Sequence, residues 1–270
     1  MGLPPAESRA ARRLNTAAAI LASGVLTDSA TEHYRADFHN RAMFVAPIVA
    51  AAVLATTAKA ACGRHGRGPA RTAVLSAAVL TGLAGFGFHL ANISRRTGGW
   101  TSPNVFFGAP VAAPLAVTMA GLFGMASDRD ELRSPIRTRL VADIGRLATL
   151  GLIGTSMEAG ALHFRGAFQN PFMYPPVTIP PIAGAALASA TFIRSPWIYR
   201  VTRTLLRSTI VLGVVGVGFH TWGVHRRMGG WRNWRQNLLV GPPLPAPPAF
   251  TGLALAGIAA LDLLDAERIR

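Results

Sequence analysis

The sequence predicts an all-α integral membrane protein of about eight transmembrane helices, a tandem duplication of a four-helix unit whose copies keep the same orientation about a pseudo-two-fold axis. Three observations predict it. Half of the 270 residues are hydrophobic, only 14% are charged and the mean hydropathy is +0.34, whereas soluble domains carry about 25% charged residues. The charges fall between apolar runs long enough to cross a hydrocarbon core. Two stretches then return roughly 130 residues later, which is the mark of an internal repeat. DSATEHYRADFHNRAM (28–43) returns as EAGALHFRGAFQNPFM (158–173), and GFGFHLANISRRTGGW (85–100) as GVGFHTWGVHRRMGGW (216–231), with nine of 16 columns identical in the second pair.

The eight apolar runs lie near 14–28, 43–62, 72–94, 108–126, 140–160, 172–193, 208–224 and 243–264. The first follows Arg9, Arg12 and Arg13 in the manner of a secretory signal. It is nevertheless the counterpart of the fifth, with Asp28 where that run has Glu158, so it is read as a retained helix. The first and seventh runs are short and call for flanking residues or a smaller tilt. Pro175, Pro176, Pro180 and Pro181 are expected to interrupt the sixth run, and Pro242, Pro243, Pro245, Pro247 and Pro248 crowd the start of the eighth. Four spans return the chain to the side it left, so the copies are parallel rather than inverted. The division is 1–127 for the first repeat, 128–139 for a charged cytoplasmic linker with Asp128, Asp130 and Glu131 among its arginines, and 140–270 for the second.

Basic residues near helix ends stay on the cytoplasmic side. With the N-terminus inside, the outer side receives Arg35, Arg41, Arg95, Arg96, Arg165, Arg226, Arg227, Arg232 and Arg235, Arg146 lies within the fifth run, and the other 17 of the 27 Lys and Arg face the cytoplasm. The expectation is an N-in, C-in protein of a bacterial inner membrane. A net charge of +15 then meets anionic lipid headgroups, and no nucleic-acid module is visible. Cys62 is the only cysteine, which excludes an intrachain disulfide and any multi-cysteine metal site.

In this topology the repeated polar residues gather at the outer, periplasmic ends of the helices. The first motif carries an acid (Asp28, Glu158), a histidine (His33, His163), then Arg35 or Arg165, Phe38 or Phe168, Asn40 or Asn170, and Met43 or Met173. The second carries His89 or His220, an Arg-Arg pair and Gly-Gly-Trp, followed by Asn104 or Asn237. Four of the seven histidines are thus repeated, one from the first helix and one from the third helix of each unit.

Imidazole ligates haem iron, zinc, copper and non-haem iron. In a haem b reading, His33 with His89 and His163 with His220 are axial ligands. Gly85, Gly87, Gly216 and Gly218 make room beside the helix, and Arg95, Arg96, Arg226 and Arg227 hold propionates. In a transition-metal reading (iron, copper or zinc), Asp28, His33 and His89 form one two-histidine, one-carboxylate set, and Glu158, His163 and His220 the other. Residues five apart sit about 140° apart on a helix, so this set needs the histidine to lie beyond the helix end. An architectural reading has the histidines hydrogen-bonding to loops and the acids accepting from Arg35 or Arg165. The Gly-Gly-Trp segments read as turns with an interfacial anchor, and Asp143 and Arg146 as a pair across one helical turn.

The leading expectation is redox or electron-transfer work through haem or metal, with an extracytoplasmic or membrane redox partner. Two others compete: a transporter of small solutes or ions, favoured by proline-interrupted helices, and a non-catalytic membrane subunit whose outer arginines dock an extracytoplasmic partner.

Overall fold

A computed structural model describes residues 5–64, 68–128 and 138–269. His65, Arg67, Arg270 and the linker stretch 129–137 lie outside the described residues. Within them the chain is helical and without strands. In order come α1 (Pro5–Arg35), α2 (Val45–Ala61), α3 (Pro69–Ser94), α4 (Ser102–Phe107), α5 (Leu115–Asp128), α6 (Thr138–Arg165), α7 (Pro175–Phe192), α8 (Pro196–His225), α9 (Trp234–Val240) and α10 (Pro248–Ile269). Three 3₁₀ turns, Arg41–Phe44, Pro171–Met173 and Gly230–Asn233, link them at one end of the bundle.

Helix ends follow local chemistry. Pro69, Pro175 and Pro196 open α3, α7 and α8, where the missing N–H is not needed. α2 closes at Gly63, φ 77°, with the Arg64 N–H on the Lys59 carbonyl (3.0 Å) and the Gly63 N–H on that of Ala60 (3.0 Å), a Schellman reversal.

Flanking residues extend the two short runs: α1 has 31 residues and α8 has 30. The fourth and eighth runs are shorter as helices than expected. α5 begins only at Leu115 and α10 at Pro248, because Pro110 and Pro114, and Pro242 to Pro247, deprive the preceding backbone of donors. The sixth run is a correction in the other direction. Its prolines do not interrupt it: Pro175 and Pro176 occupy the first turn, and Pro180 and Pro181 lie inside a continuous α7.

Five helices, α2, α3, α6, α8 and α10, are long and apolar enough to cross a membrane, and α5 is a shorter apolar helix. Their exposed faces fit lipid rather than water. Ile48, Leu80, Leu150, Ile182 and Val214 are all more than half exposed, a pattern a water-soluble surface avoids. The interior belongs to α1, α5 and α10. α1 packs on α2, α5 and α10, α6 on α7 and α10, and α8 on α7 and α10. Ala17, Ala18 and Ala22 of α1 and Ala256, Ala259 and Ala260 of α10 are fully buried, so small side chains let the axes approach. A helix shielded in this way needs little hydropathy, which is why α1 is long yet not lipid-like.

Ion pairs close the bundle at the end remote from the repeated motifs. Arg71, 6% exposed, donates to Asp128 (2.5 Å), Asn15 (2.7 Å) and the Thr56 carbonyl (3.0 Å), joining α3 to α5, α1 and α2. Arg13 and Arg203 both pair with Asp262, joining α1 and α8 to α10. Asp143 and Arg146 pair as expected (2.8 Å).

Glycines set the helix contacts nearer the other end. A Cβ on Gly82 would stand 2.1 Å from Thr118 Oγ1 and 2.6 Å from the Pro114 carbonyl oxygen; on Gly213 it would stand 2.2 Å from Thr251 Oγ1 and 2.8 Å from the Pro247 carbonyl oxygen. Thr118 and Thr251 donate to the Val79 and Ile210 carbonyls across the same contacts (3.3 and 3.0 Å). Gly82→Ala or Gly213→Ala should each destabilise the protein by about 1–3 kcal/mol through overpacking, read as denaturant unfolding in detergent. Gly154→Ala, inside α6 with nothing within 4 Å, should not lower the midpoint, since alanine favours helix over glycine by about 1 kcal/mol.

Candidate functional site

Each repeated motif folds into the same local structure. After α1, the Phe38 N–H donates to the His33 carbonyl (2.9 Å) and the Asp37 N–H to that of Tyr34 (3.0 Å); after α6, Phe168 and Ala167 do the same to His163 (3.1 Å) and Phe164 (2.8 Å). This reversal normally uses glycine. Here Asp37 and Phe38 (φ 54° and 44°) and Ala167 and Phe168 (φ 55° and 46°) are left-handed, at a cost of about 1–2 kcal/mol per residue. The strain places Phe38 stacked on Phe44 (4.2 Å) with its ring edge-on to His33 (5.9 Å), and Phe168 stacked on Tyr174 (4.8 Å) and edge-on to His163 (6.1 Å). Asn40 and Asn170 cap the following turns, accepting from Ala42 (2.9 Å) and Phe172 (3.0 Å) backbone N–H groups.

The Gly-Gly-Trp segments are turns, with Gly98, Gly99, Gly229 and Gly230 all at positive φ. The Asn104 amide ties the first turn to the Thr97 and Gly99 carbonyls (2.9 and 2.8 Å), and Asn237 ties the second to those of Met228 and Gly230 (3.2 and 2.9 Å).

The four repeated histidines share one arrangement. Nδ1 of His33 lies 2.6 Å from the Met43 carbonyl oxygen, that of His163 lies 2.9 Å from Met173, that of His89 lies 2.6 Å from Pro110, and that of His220 lies 2.6 Å from Pro243. A carbonyl oxygen only accepts, so each Nδ1 carries the hydrogen and the neutral ring keeps its lone pair on Nε2. His33 lies within electrostatic reach of His89, and His163 within reach of His220. All four imidazoles are partly exposed.

The acids are placed elsewhere. α1 continues through His33 to Arg35, so the histidine does not lie beyond the helix end, and Asp28 and His33 sit about 140° apart on one helix. α6 does the same for Glu158 and His163. Asp28 and Glu158 instead lie within electrostatic reach of each other. Among the described residues no three His, Cys, Asp or Glu side chains gather as a metal site: neither Asp28, His33 and His89 nor Glu158, His163 and His220 come together. Among the described residues the expected acid–arginine ion pairs do not form: Arg35 lies within electrostatic reach of Asp28 but bonds to Glu32 (2.6 Å), and Arg165 lies over the rings of Phe106 (4.9 Å) and Phe107 (5.4 Å).

The glycines before the histidines divide. Cβ atoms on Gly85 and Gly216 would meet Pro114 (3.0 Å) and Pro247 (2.7 Å), whereas Gly87 and Gly218 face open space. Only the latter two leave room beside the helix. Arg95, Arg96, Arg226 and Arg227 are exposed just past the ends of α3 and α8.

Two features had no counterpart in the repeat. His225, matched to Ser94 in the other stretch, is stacked on Trp231 (5.7 Å) and tilted against Trp222 (5.4 Å). An apolar cleft of about 650 Å³, lined by Trp100, Phe106, Phe107, Ala161 and Phe164, opens between α4 and α6. At the corresponding contact between α9 and α1, Arg235 donates to the Tyr34 hydroxyl (3.1 Å). Cross-copy contacts of this kind leave no periodicity to read.

No protein-family model, curated protein or solved structure matches the chain.

The carbonyl bonds fix a tautomer, and that is measurable. Nitrogen NMR of histidine-labelled protein at pH 8 should show His33, His89, His163 and His220 protonated at Nδ1 and not at Nε2. Predominant Nε2–H signals from these rings would contradict the arrangement.

Proposed function

We propose that the chain is an eight-span inner-membrane protein made by fusion of two parallel four-helix units, and that each unit holds a redox cofactor, haem b or a transition metal, on its histidine pair for electron transfer. In this reading the spans are α1, α2, α3, α5, α6, α7, α8 and α10, both termini are cytoplasmic and the histidine end is periplasmic. One observation carries the cofactor assignment. All four repeated imidazoles donate through Nδ1 to a backbone carbonyl, which orients the ring and raises the basicity of Nε2, as is usual for a metal-ligating histidine.

The ligand count favours haem. A protein zinc site takes about four protein ligands when structural and three when catalytic, and among the described residues no three such side chains gather. Haem would need only two protein ligands, which the two histidines of each half would supply. Bound haem would supply one-electron chemistry. The chain's own residues orient the imidazoles, keep the α3 and α8 faces open at Gly87 and Gly218, and offer Arg95, Arg96, Arg226 and Arg227 to carboxylates at the polar boundary. A redox partner in the membrane or outside it would exchange the electron.

Absorption spectra of the detergent-purified chain, oxidised and reduced, with elemental analysis, test this. A reducible Soret band, lost from one unit in His89→Ala and from the other in His220→Ala while the protein stays folded, is the expected result. A colourless, metal-free protein from iron- and copper-replete cells would move the assignment to transport or partner docking.

The topology has its own test. Cys62, exposed beside the α2 reversal, should resist an impermeant thiol reagent added outside intact cells, while a Thr101→Cys, Cys62→Ser chain should react. The opposite pattern would place the histidines in the cytoplasm.

A further inference from the structure

The lipid-facing side of α8 carries a polar feature that the bundle does not use. Thr204, Arg207, Ser208 and Val211, spaced three and four apart on one face, line a shallow cleft of about 400 Å³. Arg207 and Ser208 are exposed. Among the described residues no hydrogen bond or ion pair involves either side chain, whereas the Thr204 hydroxyl is committed to the Arg200 carbonyl (3.1 Å). Arg207 lies within electrostatic reach of Arg13 and Arg203, and the two carboxylates beside them are already taken, Asp262 by both and Asp265 by Arg203 (3.5 Å). The cleft is thus locally cationic, with a guanidinium and a hydroxyl free to donate.

Its position and its continuation identify the ligand chemistry. Arg207 lies 18 residues before His225, roughly 27 Å along the axis at 1.5 Å per residue, which is about the depth of a hydrocarbon core. The guanidinium therefore sits at the boundary opposite the histidine end. From the cleft the same face runs on through Val211, Val214 and Val215, exposed by 60%, 63% and 47%, and past the open Gly218. Cationic donors at headgroup depth followed by an apolar ridge match an amphiphile with an anionic head and acyl tails. The matching face of α3 provides the contrast. Ala73, Ser76, Ala77 and Leu80 stand where α8 has Thr204, Arg207, Ser208 and Val211, an ordinary lipid-facing surface. At headgroup depth a guanidinium and a hydroxyl can both donate to a phosphate.

We infer that the Arg207–Ser208 cleft of α8 binds the phosphodiester headgroup of an anionic phospholipid, whose acyl chains lie along Val211, Val214 and Val215. This site is separate from the histidine pairs and does not depend on what they bind.

Native mass spectrometry of the detergent-solubilised full chain with phosphatidylglycerol, and with phosphatidylcholine of the same acyl chains, tests the assignment. Wild type should bind phosphatidylglycerol saturably and phosphatidylcholine only weakly. Arg207→Gln should weaken phosphatidylglycerol about fivefold, the effect of one cation at an anionic surface, and Ser208→Asp should weaken it by repulsion without disturbing the bundle. Arg146→Gln, the same charge loss at an exposed arginine already paired with Asp143, should bind like wild type. The assignment is overturned if Arg207→Gln binds like wild type, if Arg146→Gln loses as much, if the two lipids bind equally, or if inorganic phosphate at millimolar concentration displaces the lipid.

Discussion

A backbone carbonyl that falls outside the helical ladder has to find another donor, and in this chain four of them find an imidazole. The segments 108–114 and 241–247 are rich in proline, so they can neither form helix nor donate along much of their length. His89 and His220 take up the Pro110 and Pro243 carbonyls and thereby hold these irregular stretches against α3 and α8. Pro114 and Pro247 then seat on Gly85 and Gly216, and α5 and α10 start in position. His33 and His163 do the same for the turns entering α2 and α7. One bond serves two ends: it satisfies the backbone, and it leaves the lone pair of the neutral ring on Nε2.

The two ends of the bundle are built on different physics. At the histidine end, neutral hydrogen bonds, ring stacks and left-handed residues define the loops. At the other, Arg71, Arg13 and Arg203 gather helix ends through carboxylates and carbonyls. A buried guanidinium stabilises only when its donors are satisfied, and Arg71 reaches partners on α1, α2 and α5 at once. Between the ends the contacts are alanine and glycine, with little polar chemistry across the middle of the membrane.

Much of this was legible in the sequence, and the gaps have identifiable causes. Helix character and the polar ends followed from composition, the Gly-Gly-Trp turns from glycine's access to positive φ, and the Asp143–Arg146 pair from helical spacing. Helix termini were harder. Nothing local ends α1 at Asp28, since the polar stretch up to Arg35 continues as helix, and that continuation turns Asp28 away from His33. Proline clusters misled in both directions, because Pro180 and Pro181 are tolerated within α7 while those before α10 delay it. The carbonyl partners of the histidines lie 10 to 23 residues along the chain, beyond the reach of any helical periodicity. The repeat showed which residues belong together as types; only the fold showed which of them face each other.

The burial of α1 against α10 joins helices at opposite ends of the chain, and it gives the molecule a history during synthesis. Translation adds about 5–20 residues per second, so on the order of 10 to 50 s separates the emergence of the α1 alanines from that of their partners on α10. Through that interval Arg13 has no Asp262, and a helix with little lipid affinity of its own waits in or beside the bilayer. A ribosome that stalls before α10 therefore leaves the alanine face of α1 without the helix that covers it.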